Sequence, residues 1–140
     1  MNQYFIVQTK HQLEAMMIKY LTTIEFQKDL KRMLKKFKSL EFDIDNAKES
    51  TIELFHIRKL DNNSIFQIQG FNTEKIKIYK IKKFACKALK GCGIKSGIRV
   101  IYAFHWAELK VIFLQIYYKG DQEKEDYERI KTYLKNESRA

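Results

Sequence analysis

The chain has no proline, and it has no acidic residue between positions 75 and 107. The first absence argues against a stiff extended linker or a proline-rich recognition segment. Cysteine is also scarce: Cys86 and Cys92 are the whole supply. That is too few for a disulfide scaffold, and a structural zinc site needs four ligands, whereas neither His56 nor His105 stands at metal-ligand spacing from the pair. Both thiols read as small buried or loop residues. Long apolar runs are missing near the start, where residues 4–7 are far too short for a signal core or a membrane span. The expected location is the cytoplasm, with no membrane partner. Gly91, Gly93 and Gly97 lack the spacing of a dinucleotide or P-loop motif and lead into a strand, so they read as a flexible basic loop.

What is present is positive charge. The 140 residues carry a formal net charge of +10 with 45% apolar content, enough for one domain with a modest core. Such a balance suits RNA, DNA, an acidic protein or an anionic surface. The acid-free stretch narrows the choice. It holds Lys75, Lys77, Lys80, Lys82, Lys83, Lys87, Lys90, Lys95 and Arg99 among strand-like runs and a glycine-containing loop, the composition of a phosphate surface. Nucleic acid is the first candidate partner.

The element pattern is α+β. Thr22 and Glu25 have capping-box spacing, and Phe26, Leu30, Met33, Leu34 and Phe37 draw an apolar stripe behind them, opposite a face rich in lysine. Ser39 can cap a second helix that includes Leu40, Ile44 and Ala47 and fades near Ser50, so the two should pack as a hairpin. Residues 52–60 fit either state. Residues 64–69, 75–84, 97–106 and 110–119 read as strands, rich in Ile, Val, Tyr and Phe and separated by turn signals. The last two form a tight hairpin, and residues 111–118 are apolar enough for a strand covered on both faces. Asp121 can cap a closing helix in which Tyr127, Ile130 and Leu134 share a face. Residues 8–17 could form a helix, but Met16 and Met17 stand directly before the strand-like residues 18–22. Residues 1–15 therefore read as an extension to a single domain over 16–140.

Alternation along a strand places Lys80 and Lys82 on one face, where two ammonium groups about 7 Å apart make either a phosphate clamp or a wet outer surface. Arg99, at the mouth of the next strand after Gly97, offers a planar fork for a phosphate, either at the strand's wet end or lining a cleft. Lys77, Lys83, Lys87, Lys90 and Lys95 would supply surrounding contacts to RNA. His105, Trp106 and Glu108 read as solvated hairpin-tip residues, and Tyr102 and Phe104 as core.

Residues 78–82 (Ile-Tyr-Lys-Ile-Lys), 95–102 (Lys-Ser-Gly-Ile-Arg-Val-Ile-Tyr) and 116–119 (Ile-Tyr-Tyr-Lys), followed by an amphipathic helix, resemble the RelE/ParE family of bacterial type II toxin-antitoxin toxins. Residues 26–39, with Lys31, Leu34, Lys35 and Lys36, resemble that family's first helix, so the likeness spans about residues 18–134. It implies a microbial-ribonuclease type of fold: two N-terminal helices as a hairpin on a twisted, mostly antiparallel sheet of about four strands, with a C-terminal helix. RelE-like members are mRNA endoribonucleases that act on the ribosome without metal or other cofactor, by attack of the ribose 2′-hydroxyl on the adjacent phosphate. ParE-like members inhibit DNA gyrase instead, and a non-catalytic RNA-binding relative is a further alternative. Each toxin is silenced by a cognate acidic antitoxin. Carried across by position, the resemblance assigns catalytic roles to Lys80, Lys82 and Arg99, and places Tyr127 near the tyrosine of the last helix. Where the family has a second arginine, this chain has Lys119, which the resemblance assigns that catalytic role, with Tyr127 as the fifth catalytic candidate. Crowding of cations is then expected to pull a lysine pKa down far enough for it to act as a base.

Overall fold

The computed structural model describes residues 17–139; the expected extension at residues 1–15 and most of the possible helix at residues 8–17 lie outside the described residues. The chain forms β1 (Lys19–Thr22), α1 (Ile24–Leu34), α2 (Leu40–Ala47), a π-helical stretch (Lys48–Glu53), α3 (Leu54–His56), β2 (Ile65–Gln67), β3 (Ile76–Ile81), β4 (Ile98–His105), β5 (Lys110–Tyr118) and α4 (Tyr127–Ser138). The fold is mixed α+β. Among the described residues its sheet has five strands in the order β1-β5-β4-β3-β2, where about four were expected. The additional strand is β1, which precedes the helices and pairs in parallel with β5, while all other pairs are antiparallel.

Helix limits also differ from expectation, for local reasons. Thr23, one residue later than the expected cap, accepts from the Phe26 N–H, because Thr22 is still paired in β1 opposite Phe113. Ser39 does precede α2 but makes no capping bond; its hydroxyl donates to Asp43 and accepts from the Ala88 N–H instead. The second helical segment does not fade near Ser50. It continues through the π-helical stretch into α3, because Ile52 and His56 are buried against the sheet. Asp121 is not the cap of the closing helix; Asp126 is, accepting from the Arg129 N–H at 3.1 Å.

Helices cover both faces of the sheet. On one face α1 and α2 close the larger core, in which Phe26, Met33, Leu40 and Ile44 meet Ile81, Val100, Tyr102 and Phe113. On the other, Ile130 of α4 closes a smaller core with Ile76, Ile78, Ala103, Ile112 and Leu114. β5 serves both cores and is buried from Val111 to Tyr117. Its side chains change parity midway: register shifts opposite Leu114, where Ile101 pairs with Gln115 but Tyr102 pairs with Phe113. This bulge sends Val111, Phe113 and Ile116 to the larger core, and Ile112, Leu114 and Tyr117 to the smaller one.

β1 pairs with β5 only as far as Phe113, so among the described residues the outer edge of β5 beyond the bulge has no strand beside it. A buried ion pair takes the strand's place. Asp29 of α1 accepts from the Ile116 N–H at 3.3 Å and from the Arg129 guanidinium at 2.6 Å, while Arg129 also donates to the Leu114 carbonyl at 3.0 Å. Backbone groups on both sides of the bulge are thus satisfied by one carboxylate and one guanidinium, each from a different helical layer.

Cys86 is buried, 3.6 Å from the Ser39 hydroxyl, and Cys92 is exposed; both are free. No helix among the described residues is long and apolar enough to cross a membrane.

Asp29→Ala strips the Ile116 N–H of its acceptor and Arg129 of its carboxylate partner and should destabilise the fold by about 3–5 kcal/mol, measured by chemical denaturation. A change under about 1 kcal/mol would show that the edge is held by other means. A second expectation concerns His56, whose ring stacks on Phe104 at 3.9 Å and shares a 2.7 Å hydrogen bond with the Tyr102 hydroxyl. Burial, aided by the charge of Lys59, lowers its pKa to about 4. The unfolded chain takes up this proton below pH about 6.5 and the folded one does not, so the stabilisation is complete above that pH and is lost as pH falls toward 4. Wild type should therefore lose about 3 kcal/mol more than His56→Phe across that interval. Parallel stability–pH curves for the two proteins would refute the assignment.

Candidate functional site

The β3–β4 register, in which Ile81 pairs with Val100 and Lys80 with Ile101, brings Lys82 opposite Arg99 just past the last paired residues. Alternation along β3 puts Lys80 on the same face as Ile76 and Ile78, the face that α4 partly covers. On β4, Arg99 shares that face with Ile101 and Ala103. Beside it on β5 is Tyr117, its register partner, which the bulge has turned to this side. Lys80, Lys82 and Arg99 therefore occupy one face of the sheet, at the end away from the hairpin joining β4 to β5.

Contacts close a circuit around this end. The Lys80 ammonium donates to Glu125 Oε2 at 2.7 Å, and the Tyr117 hydroxyl donates to the same oxygen at 3.3 Å. Lys82 lies with its ammonium 4.6 Å from the centre of the Phe66 ring, and Phe66 is the β2 partner of Lys80. Arg99 donates through one terminal nitrogen to the carbonyl of Lys82 at 2.6 Å and, at 3.4 Å, to that of Ile98. Its other terminal nitrogen makes no hydrogen bond among the described residues, leaving donors for an incoming anion.

The electrostatics of Lys80 differ from expectation. Burial opposes its charge, but the hydrogen bonds to Glu125 and Tyr117 outweigh burial and hold its pKa above the ordinary lysine value. A lysine lowered toward neutrality by crowded cations is not found at position 80, because a carboxylate, not a cation, is its nearest charged neighbour. Glu125 responds in the complementary sense: burial raises its pKa, yet Lys80 and the hydrogen bonds to its carboxylate bring it below the usual carboxylate value. Tyr117 is raised, mainly by burial. At neutral pH the set is an ammonium, a carboxylate and a neutral phenol.

The remaining residues singled out in the sequence are dispersed. Lys119 is exposed one step beyond β5, its N–H bonded to the Gly97 carbonyl at 2.8 Å, which continues the ladder beside Arg99. Tyr127 begins α4 and stacks on Phe71 with ring centres 5.3 Å apart, and no hydrogen bond ties it to Lys80, Lys82 or Arg99 among the described residues. Lys77 lines a depression with Phe55, His56, Lys59, Tyr79, Phe104 and Trp106, on the opposite side of the sheet from Lys80. Lys87 is also displaced: its ammonium lies 4.2 Å from the Phe42 ring and its N–H bonds to Asp43 of α2. Lys83, Lys90 and Lys95 are exposed in the connection between β3 and β4.

His105 is not a solvated tip residue. It ends β4, is buried, and shares a 2.6 Å hydrogen bond with the Tyr133 hydroxyl of α4. Trp106 is more than half exposed, with its indole N–H bonded to the Glu74 carbonyl. Among the described residues no group of three or more His, Cys, Asp and Glu side chains is placed to hold a metal ion.

Sequence reasoning missed Glu125 and Tyr117. Tyr117 was hidden in the apolar run of β5, where nothing in the residue order reveals the parity change. Glu125 stood among Glu123 and Asp126 with no signal to separate it from them. The acid-free stretch in sequence is consequently not acid-free in space.

No family model matches this chain, and no curated protein does. Among solved structures, similarity is found to a chain of the archaeal RelE–RelB complex from Pyrococcus horikoshii OT3, with 17% identity over 74% of this chain and 96% of that chain, and a TM-score of 0.43.

Lys80→Met should expose how much the fold relies on this pair. With side chains only 16% and 8% exposed, removal of the ammonium leaves Glu125 buried with Tyr117 alone. The expected loss is about 3 kcal/mol in denaturant titration, and Glu125→Gln added to Lys80→Met should restore part of it. Strictly additive losses in the double variant would mean that the two groups do not interact.

Proposed function

We propose that the protein is a RelE-like toxin of a type II toxin-antitoxin system, acting as a metal-independent mRNA endoribonuclease on the ribosome. The observation that carries the proposal is the common sheet face of Lys80, Lys82 and Arg99, joined in sequence to the segments that resemble the RelE/ParE family. Attack of a ribose 2′-oxygen on phosphorus breaks the bond to the 5′-oxygen, giving a 2′,3′-cyclic phosphate and a 5′-hydroxyl end. Negative charge accumulates on the phosphoryl oxygens during this step, and fixed cations aimed at them lower its barrier by several kcal/mol. Arg99 is suited to that task because its fork can hold a phosphate by two hydrogen bonds.

Lys80 is held as the ammonium, so it suits protonation of the leaving 5′-oxygen and does not suit removal of the 2′-proton. In this reading the 2′-proton passes to water or to a group that the ribosome brings. In this reading Lys119, whose main chain pairs with Gly97 two residues before Arg99, supplies a further cation. The partner that silences the protein is a cognate acidic antitoxin, complementary to a chain of net charge +10.

A second reading, an RNA-binding relative without catalysis, is favoured by two features: Lys80 is already neutralised by Glu125, and Lys119 stands where the family resemblance expects an arginine.

Expression of the wild type should arrest growth and create new RNA ends within translated messages. Lys82→Ala with Arg99→Ala should reduce cleavage by at least about 100-fold while leaving the fold intact. Mapping RNA ends on translating ribosomes checks both outcomes. Wild-type binding to RNA without new ends would favour the non-catalytic reading, and growth arrest with intact messages and lost supercoiling would point to gyrase.

A further inference from the structure

The position of Glu125 is informative in its own right. A single carboxylate oxygen receives both the Lys80 ammonium at 2.7 Å and the Tyr117 hydroxyl at 3.3 Å. Those donors belong to neighbouring parts of the sheet, while the acceptor comes from residues 119–126, which form no helix or strand. The main chain at Glu125 is nevertheless fixed from the next residue, because the Asp126 N–H donates to the Gln115 side chain at 2.8 Å and the Asp126 carboxylate caps α4.

Stability is a weak reason for such an arrangement, since a buried ion pair gains little over apolar packing of the same volume. An anion-binding reason is stronger. An oxygen anion held between an ammonium and a phenol whose strand partner is Arg99 occupies the setting of a phosphate oxygen. Lys82, on the Phe66 side, continues the positive track along the same face.

We infer that Lys80 and Tyr117 form the seat for one phosphodiester of a single-stranded RNA, that Glu125 fills this seat in the free protein, and that the RNA phosphate takes its place. The inference rests on the reading of this face as an RNA site and adds two residues to it: Tyr117 as a direct phosphate contact and Glu125 as the resident anion that the substrate displaces. Binding then requires the phosphate to outcompete a tethered carboxylate, which selects against weakly held anions.

The full chain is titrated against a fluorescently labelled single-stranded RNA whose 2′-positions are O-methylated, so that no cleavage intrudes, and binding is read by anisotropy at fixed salt. Glu125→Gln retains an oxygen acceptor for both donors but removes the competing charge, and should tighten binding about tenfold. Tyr117→Phe combined with Glu125→Gln should forfeit part of that gain, and Lys80→Met combined with Glu125→Gln all of it. Glu125→Asp, which keeps the charge but is too short to reach both donors, should move in the same direction as Glu125→Gln and serves if the latter does not fold. Unchanged or weaker binding in the folded glutamate variants, or a gain that persists without Lys80, overturns the inference. The outcome is separable from nuclease activity: tighter binding by Glu125→Gln in a protein that cuts no message leaves the seat standing and removes the enzyme. Message cleavage by wild type with no gain in Glu125→Gln does the reverse.

Discussion

The buried Asp29–Arg129 pair is the interaction on which the candidate site depends. It clamps β5 at the bulge and just beyond it, through the Leu114 carbonyl and the Ile116 N–H, where no strand among the described residues does so. The bulge sets the parity of everything that follows in β5. Without the extra residue Tyr117 would point into the larger core and Ile116 to the other face, and Lys119 would leave the side on which Arg99 stands. A single inserted position therefore decides whether the phenol sits beside Arg99 or beneath the helices. Because Asp29 belongs to α1 and Arg129 to α4, the two helical layers meet at this point around the sheet edge, and the geometry of the site is tied to the packing of both.

Burial and charge divide the two faces of the sheet in different ways. The larger core contains aromatic stacking, with His56 held neutral among Tyr79, Tyr102 and Phe104. The smaller core runs out of apolar residues along β3 and β4, where Ile78 gives way to Lys80 and Ile101 to Arg99. At that boundary Glu125 offsets one cation, and Lys82 lays its charge over Phe66. An aromatic face stabilises an exposed ammonium only modestly, so Lys82 can still turn to a stronger partner.

Strands were legible in the sequence because Ile, Val, Tyr and Phe cluster between turn signals, and the observed β3, β4 and β5 lie within the ranges expected. The sheet was underestimated because residues 18–22, although strand-like in sequence, give no sign of their partner, and β1 joins the sheet by parallel pairing with β5 over residues 110–113. The continuation of the second helical segment to His56 was obscured because π-helical winding breaks the 3.6-residue period at Lys48–Glu53. The common face of Lys80 and Lys82 followed from alternation alone. Arg99 joined them through a register that no single sequence specifies. Asp29 did carry a signal: three residues after Phe26 and four before Met33, it lies on the apolar stripe of α1, where an unpaired acid would not be tolerated.

The charge state of the site limits the chemistry it can perform. An ammonium stabilised by Glu125, an arginine and an exposed lysine together offer positive potential, and Lys80, held as the ammonium, is not arranged as a base. A cationic cluster of this kind accelerates phosphoryl chemistry in proportion to how much more charge the transition state carries than the bound substrate. A phosphodiester already bears one negative charge in the ground state, so uniform attraction raises affinity without raising the rate of cleavage. Selective acceleration requires that the cations be aimed at oxygens whose charge grows during reaction, or that an external frame hold the 2′-oxygen in line with the leaving group. Residues that fix direction, such as the Arg99 fork tied to the Lys82 carbonyl, are therefore where binding and catalysis would part company. Residues that only add charge, such as the dispersed Lys83, Lys90 and Lys95, would contribute to affinity alone if RNA is the partner.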